Sequence, residues 1–364
     1  MYALARPLLF TLPPDVAHAM GMAALAPLEH VAPLRAIARA MLAPRDARLV
    51  VTAMGLRFPS PIGIAGGFDK NAKRARALAA LGFGHVEIGT VTAEAQAPNP
   101  APNLFRLPAD HALINRLGFP NEGARRVVAR ALARGGARAV GVPLGVSIGK
   151  SRSVPVEPIE GAIADYLTSF AEAAKVADFV VVNVSSPNTK DLRAMQGSAL
   201  ARALVSAIAA ANAASARRRP LLVKIAPDLS DAELEALLAV VDEVKLDGVV
   251  ATNTTIARAG LRTDARAVEA MGAGGMSGAP LRARAKEVVT RVRARLGRRV
   301  TVIGVGGIET GEHALDLMRA GADLVQMYTG FVYQGPLAAH AIGRDLSRRM
   351  DAAGVGAIAD LAVL

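Results

Sequence analysis

The residues of this 364-residue chain best suited to chemistry gather behind one apolar run. Phe179, Val180, Val181 and Val182 form an unbroken β-branched and aromatic segment, the mark of a strand buried on both faces. The run ends in Asn183, and Ser185, Ser186, Pro187, Asn188 and Thr189 follow. A polar loop capping the next helix accounts for Pro187 and one asparagine. It does not account for Asn183, still on the strand and expected to face inward. Carboxamides both donate and accept, and a serine hydroxyl takes a proton only with help from a neighbouring hydroxyl or water. Elsewhere, Lys224 sits inside the apolar stretch 221–225, where an unpaired ammonium is costly and an anion or polarised ring is its natural partner. Lys70 follows Ala65, Gly66 and Gly67, whose glycines admit close backbone approach to a flat or phosphorylated ligand.

These residues need a scaffold that brings strand ends together. Apolar strand patterns fall at 62–65, 86–90, 139–146, 179–184, 221–225, 248–252, 300–305 and 324–328. Helical patterns lie between and after them, near 71–81, 122–133, 162–176, 199–213, 231–244, 281–296, 311–320 and 336–350. A small hairpin is expected at 49–52 and 55–58. The alternation predicts an α/β fold, a (β/α)8 TIM barrel with a small helical extension at its N-terminus. Such barrels place their chemistry at the C-terminal strand ends, where the asparagine and serine loop, Lys70, Thr90, Ser147 and Thr252 all fall. Glycine-rich loops at 304–307 and 328–330, after the last two strands, predict a phosphate cradle. A third glycine-rich loop, 274–278 after the sixth strand, adds backbone for a sizeable phosphorylated cofactor.

Composition narrows the class. Cysteine is absent, which excludes disulfides, thiolate metal ligands and a cysteine nucleophile, and no metal site is expected. The formal charge of +12 is spread over scattered arginines without interleaved aromatics, so no nucleic acid partner is expected, only a mild preference for anionic surfaces or substrates. The N-terminus lacks the pattern of a signal peptide. Two short apolar segments are expected there, one from Pro14 to Leu25 ended by Pro27, one opened by Pro33 with Leu34, Ile37 and Met41 on one face. Both fall short of the roughly 20 residues of a membrane span. They read as a packing appendage or as an interfacial anchor with an apolar mouth.

The strand-end motifs resemble the dihydroorotate dehydrogenase family, FMN barrel enzymes of pyrimidine synthesis, and its class 2, quinone-dependent branch. The resemblance covers nearly the whole chain. It rests on AGGFDK at 65–70, EIGTVT at 87–92, LFR at 104–106, INRLGF at 114–119, NVSSPNT at 183–189, VKIAPD at 223–228, ATNTT at 251–255, GGMSG at 274–278, GVGGI at 304–308 and QMYTG at 326–330. Class 2 is indicated by Ser186, which stands where class 1 enzymes carry a cysteine, and by the helical extension.

The resemblance implies roles. Ser186 would take a proton from C5 of dihydroorotate, relayed through Thr189, Thr254 or water, while a hydride leaves C6 for FMN. Asn115, Asn183, Asn188 and Asn253 would hold the ring by its amide edges, with Thr254, Lys70 and the backbone of Arg116, Leu117, Gly118 and Phe119 nearby. Ala65, Gly66, Gly67, Lys70, Thr90, Ser147, Asn183, Lys224 and Thr252 would surround the flavin. Gly278, Gly307, Tyr328 and Thr329 would hold its phosphate. His18 and Arg106 match positions around a quinone passage. Two departures from the family pattern stand out: Ser147 replaces a usual asparagine near FMN, and Phe68 a usual leucine.

The implied partners are dihydroorotate or orotate and a membrane quinone. The implied location is peripheral, on the cytoplasmic face of the cell membrane. The implied division is a quinone-access extension at 1–44 and an FMN-binding barrel at 45–364. The alternatives are a class 1 type enzyme with a soluble acceptor, which Ser186 and the extension disfavour, and a non-redox barrel such as a phosphosugar isomerase or a ligand-binding barrel.

Overall fold

The computed structural model describes residues 2–189 and 192–363, so Lys190 and Asp191, which follow the NVSSPNT motif, lie outside the described residues. Eight parallel strands close into a barrel: Ile62–Asp69 (β1), His85–Val91 (β2), Leu144–Ile148 (β3), Phe179–Asn183 (β4), Leu221–Ile225 (β5), Gly248–Ala251 (β6), Thr301–Val305 (β7) and Leu324–Met327 (β8). They pair in chain order, and β8 returns to β1 with Val325 opposite Ile62. Helices cover the outside and side chains fill the inside, so the strands read as apolar runs rather than alternating ones. The helix Ala124–Ala133 shows the matching pattern, burying Ala124, Val127, Val128 and Ala131 at three- and four-residue spacing. Ser230 and Glu233 form a reciprocal capping box at the start of Asp231–Glu243.

One end of the barrel is plugged. The hairpin Val51–Ala53 and Leu56–Phe58 drives Phe58 among Phe179, Val181, Leu222, Val250, Ile303 and Leu324. That packing seals the N-terminal strand ends and leaves the opposite mouth for ligands.

Three elements differ from the sequence expectation. The third strand is not 139–146: residues Gly136–Val140 form a short helix, ended by Gly141 at φ 77°, and the strand begins at Leu144. Gly275–Gly278 is not a loop but a strand, antiparallel to Ala112–Asn115, which pairs in turn with Leu104–Leu107. The extension holds four helices, Tyr2–Thr11 (α1), Pro14–Ala24 (α2), Ala26–His30 (α3) and Ala32–Leu42 (α4). Pro27 sits in the first turn of α3 rather than ending a segment, since its missing N–H is lost there at no expense.

The extension is fixed to the barrel by one buried carboxylate. Glu29 is 1% exposed; its Oε1 accepts from Arg76 Nε at 2.9 Å and Arg134 Nη1 at 3.5 Å. Its Oε2 accepts the Ala77 N–H at 3.0 Å, so Glu29 caps the helix Ala75–Ala80, whose own N-cap residue Arg74 gives no side-chain bond. Further out, α1 and α2 are held by lighter contacts. Tyr2 Oη donates to Val332 O at 2.5 Å and Arg6 Nη1 to Tyr333 O at 3.1 Å. Arg74 Nε donates to Met22 O at 2.5 Å. Leu4, Leu8, Val16, Met20, Leu34, Ile37 and Met41 all stay exposed. Among the described residues no helix is long and apolar enough to cross a membrane.

Candidate active site

The open mouth of the barrel holds a cleft of about 1040 Å³, part of it open to solvent. β4 delivers Asn183 into it, 5% exposed and packed into a hydrogen-bonded set. Its Nδ2 donates to Thr90 Oγ1 at 3.0 Å, and its Oδ1 accepts from Asn253 Nδ2 at 3.3 Å and Ser185 Oγ at 3.2 Å. Asn253 Nδ2 also reaches Ser185 Oγ at 3.0 Å. Behind Asn183, the buried Tyr166 hydroxyl donates to its backbone carbonyl at 2.8 Å. A buried amide with every group bonded is locked in one rotamer, which is what recognition of a polar edge requires.

Asn115 and Asn188 complete the carboxamide set. Asn188 Nδ2 donates to Asn115 Oδ1 at 3.0 Å, and Asn115 Nδ2 donates to Gly275 O at 3.3 Å. The antiparallel sheet missed by the sequence reading supplies this geometry, pairing Asn115 with Gly275. Ser186 lines the same cleft as these residues, 4% exposed. Its Oγ accepts the Asn188 N–H at 3.2 Å, and its own hydrogen has no partner among the described residues. An N–H aimed at Oγ stabilises negative charge there, and a hydroxyl hydrogen left free is available for relay. Thr189 Oγ1 is buried with no partner among the described residues, and Thr254 lines the cavity.

Cations meet the cleft at two places. Lys224 on β5 is 5% exposed and has no side-chain partner among the described residues, as its position in an apolar strand foretold. Lys70 Nζ donates to Gly67 O at 2.6 Å. Burial pulls the Lys70 ammonium down to about 8, partly offset by the Asp69 carboxylate beside it.

The far side of the cleft is a cradle. Gly278 has φ 105°, and a Cβ there would lie 2.2 Å from His111 O. Gly307 has φ 69°, and Ser277 and Thr329 join their hydroxyls at 2.7 Å between them. The short helix Thr329–Gln334 opens beside this pair. Backbone N–H groups, two hydroxyls and absent Cβ atoms fit a phosphate, and the unpaired Lys224 fits a ring that gains negative charge. The donor set therefore suits a phosphorylated planar cofactor.

Of the residues expected in the site, Ala65, Gly66, Gly67, Leu117, Gly118, Phe119, Thr252 and Tyr328 line this cleft along with those above. Two do not. Ser147 is fully buried and bonds Thr90 Oγ1 at 2.9 Å, so it orients Thr90 instead of facing the cleft. The Arg116 side chain turns away, with Nε donating to Pro102 O at 3.0 Å and the guanidinium 4.8 Å over the Phe105 ring; its backbone carbonyl is held by Asn99 at 2.8 Å.

His18 and Arg106 stand outside the cleft, on the extension side. The His18 ring meets Phe68 edge-on with centroids 5.2 Å apart, and Phe68 meets Tyr328 at 5.6 Å. Burial first, then the charge of Lys70, lowers the His18 imidazole to about 4, so it is neutral. Arg106 Nη1 donates to Leu12 O at 2.7 Å and its guanidinium covers Phe10 at 4.7 Å, holding the turn after α1. Sequence reasoning missed Tyr166, Asn99, Ser277 and Gln326. Of these only Ser277 and Gln326 fell inside quoted motifs; the other two act through contacts distant in sequence.

Comparison with known proteins follows the same lines. The family model described as Dihydroorotate dehydrogenase matches residues 48–350. A protein of Nocardia farcinica named dihydroorotate dehydrogenase (quinone) is 50% identical over 347 residues, covering 95% of this chain and 92% of its own. One of the same name from Thermobifida fusca is 49% identical over 345 residues, covering 94% and 91%. The crystal structure of DHODH from Eimeria tenella in complex with ferulenol is similar at a TM-score of 0.84 and 34% identity, covering 96% of this chain and 94% of that one.

Proposed function

The chain belongs to the dihydroorotate dehydrogenase family, and from that premise we propose that it oxidises (S)-dihydroorotate to orotate in pyrimidine biosynthesis, with FMN as hydride acceptor and a quinone as final electron acceptor. The observation that carries this reading is the meeting of four asparagines and Ser186 with a glycine and hydroxyl cradle in one cleft. Asn115, Asn183, Asn188 and Asn253 present donors and acceptors to the uncharged edges of the pyrimidine ring. Thr254, Lys70 and the 116–119 backbone border the same space. Lys224, Thr90, Thr252 and the 65–67 backbone would face the flavin, and Gly278, Gly307, Tyr328 and Thr329 would hold its phosphate. Bound FMN supplies a two-electron acceptor for the hydride of C6.

The remaining work falls to Ser186. The proton at C5 passes to its Oγ as the C5–C6 double bond forms, and the serine's own proton moves on through Thr189, Thr254 or a water. Polarisation of Oγ by the Asn188 N–H lowers the charge cost of that moment.

The second half-reaction uses the extension. Residues 1–44 form a quinone-access unit seated peripherally on the cytoplasmic face of the membrane, and residues 45–364 form the FMN barrel. The exposed apolar side chains from Leu4 to Met41 support membrane contact. His18, Phe68 and Tyr328 line the way to the cleft, and neutral His18 can bond a quinone carbonyl. Arg106 keeps the mouth in shape.

Ser186→Ala tests the central claim. The purified variant should remain yellow with FMN, while flavin reduction by dihydroorotate in stopped flow falls about 10²–10⁴-fold, the usual worth of a general base. Reduction at the wild-type rate would remove Ser186 from the chemistry. A colourless wild-type protein would return the chain to the non-redox barrels.

A further inference from the structure

An arginine stands behind the phosphate cradle and outside the cleft. Among the described residues that line the cleft the cations are Lys70 and Lys224, and the roles above set both at the flavin ring and the substrate. The cradle itself is glycine, hydroxyl and backbone, with no cation for a phosphate to meet. Arg282 is the first residue of the helix Arg282–Leu296. Its Nε donates to Gly307 O at 3.0 Å and its Nη2 to Glu309 Oε2 at 3.4 Å. Gly307 admits this approach, for at φ 69° an added Cβ would lie 2.7 Å from Arg282 Cβ. The other oxygen of Glu309 lies 2.8 Å from His111 Nδ1, and His111 O accepts the Ala279 N–H at 3.2 Å, just past Gly278. One guanidinium and the Glu309 side chain thus tie the two glycine walls of the cradle together.

The hold on Gly307 O fixes the direction of the next donor. A trans peptide points its carbonyl and the following N–H to opposite sides. The peptide joining Gly307 to Ile308 is trans, and its carbonyl is turned to Arg282. The Ile308 N–H is therefore turned away from Arg282, toward the cleft that Gly307 and Ile308 line and Arg282 does not. Ile308 is 2% exposed, and its N–H has no hydrogen-bond partner among the described residues. Buried backbone N–H groups are nearly always paired, so a bare one beside a cleft marks a place for an acceptor. An anion there meets the N–H directly and feels the guanidinium through the peptide it polarises.

We infer that Arg282 is a positioning residue for the cofactor phosphate. It pins the Gly307 carbonyl outward, presents the Ile308 N–H to the phosphate, and makes the site choose a phosphorylated flavin over the same ring and chain without a phosphate. The inference rests on the FMN reading above. On that reading the ring end of the cleft cannot make the choice, because Lys224, Thr90 and Thr252 meet parts common to both flavins.

The test compares the full-length FMN-loaded protein with Arg282→Gln, which loses the charge and the reach to Gly307 O. Each is equilibrated with an excess of riboflavin, which lacks the phosphate, and the two flavins retained after gel filtration are separated and measured. The preference for FMN over riboflavin should fall about tenfold in the variant, the worth of one charge-assisted hydrogen bond. Arg282→Lys, which can still set a charged donor on the carbonyl, should keep most of the preference. If Arg282→Gln does not fold, Arg282→Met takes its place with the same expectation. An unchanged preference overturns the inference, whether both flavins stay or both are lost alike, as they would be if the arginine were only structural. A wild-type protein that holds no FMN overturns the enzyme reading as well.

Discussion

Removing residues 1–24 should separate the two half-reactions, and the structure fixes where to cut. A cut at 44 would take away Glu29, and breaking that buried pair with Arg76 and Arg134 costs about 3–5 kcal/mol while uncapping the helix Ala75–Ala80. A cut at 24 keeps Glu29 and gives up the bonds made by Tyr2, Arg6, Arg74 and Arg106 to or from α1 and α2. At about 1 kcal/mol each these sum to roughly 4 kcal/mol before the freed groups rehydrate, so the barrel should still fold. On the proposed reading, membrane contact should suffer more. Leu4, Leu8, Val16 and Met20 are 84%, 74%, 43% and 49% exposed, and all four are lost. Counting each at about half of the 1.5–3 kcal/mol for full burial, binding to lipid weakens by roughly 3–6 kcal/mol. That is about two to four decades of affinity. Three measurements decide the matter: flavin bleaching by dihydroorotate in stopped flow, turnover with a long-chain quinone, and sedimentation with anionic vesicles. The first should stay near normal while the other two collapse. Full quinone turnover by the truncated protein would refute the membrane-entrance reasoning, and loss of FMN would show that α1 and α2 are part of the flavin cradle.

Two further outcomes follow from particular contacts. Gly278→Ala should strip FMN from an otherwise folded protein, because the new Cβ would meet His111 O at 2.2 Å; released flavin after gel filtration reports it. With Lys70 lowered to about 8, a protein in which it meets the anionic substrate should lose affinity as the pH rises through that value, since the ammonium is charged below it and neutral above it. Kd for orotate measured from pH 7 to 9 should therefore rise, and a Lys70→Met variant should flatten the profile.

Much of the site was legible because a barrel makes it local. Asn183, Ser186 and Asn253 follow or end apolar runs and Lys224 lies near the end of one, and knowing that strand ends converge is enough to bring them together. The third strand was misplaced because 136–140 and 144–148 are both apolar, and only the left-handed turn at Gly141 separates helix from strand. The strand 275–278 was hidden by its glycines, which look like a loop until Ala112–Asn115 pairs with them. Ser147 faces Thr90 because its short side chain reaches only the neighbouring strand, a matter of register that periodicity does not carry. The reach of Glu87 over Gly66 to Gln326 joins positions 239 apart, and no local pattern announces it.

The seat of α1 has a consequence for how the molecule is made. Tyr2 and Arg6 bond the carbonyls of Val332 and Tyr333, more than 300 positions later. The first helix leaves the ribosome more than 300 positions ahead of the surface that receives it. Until then Tyr2 and Arg6 have no native carbonyl to bond, so α1 cannot take its seat. A seated α1 therefore comes only after the helix Thr329–Gln334 has been made, behind β8, which closes the ring against β1.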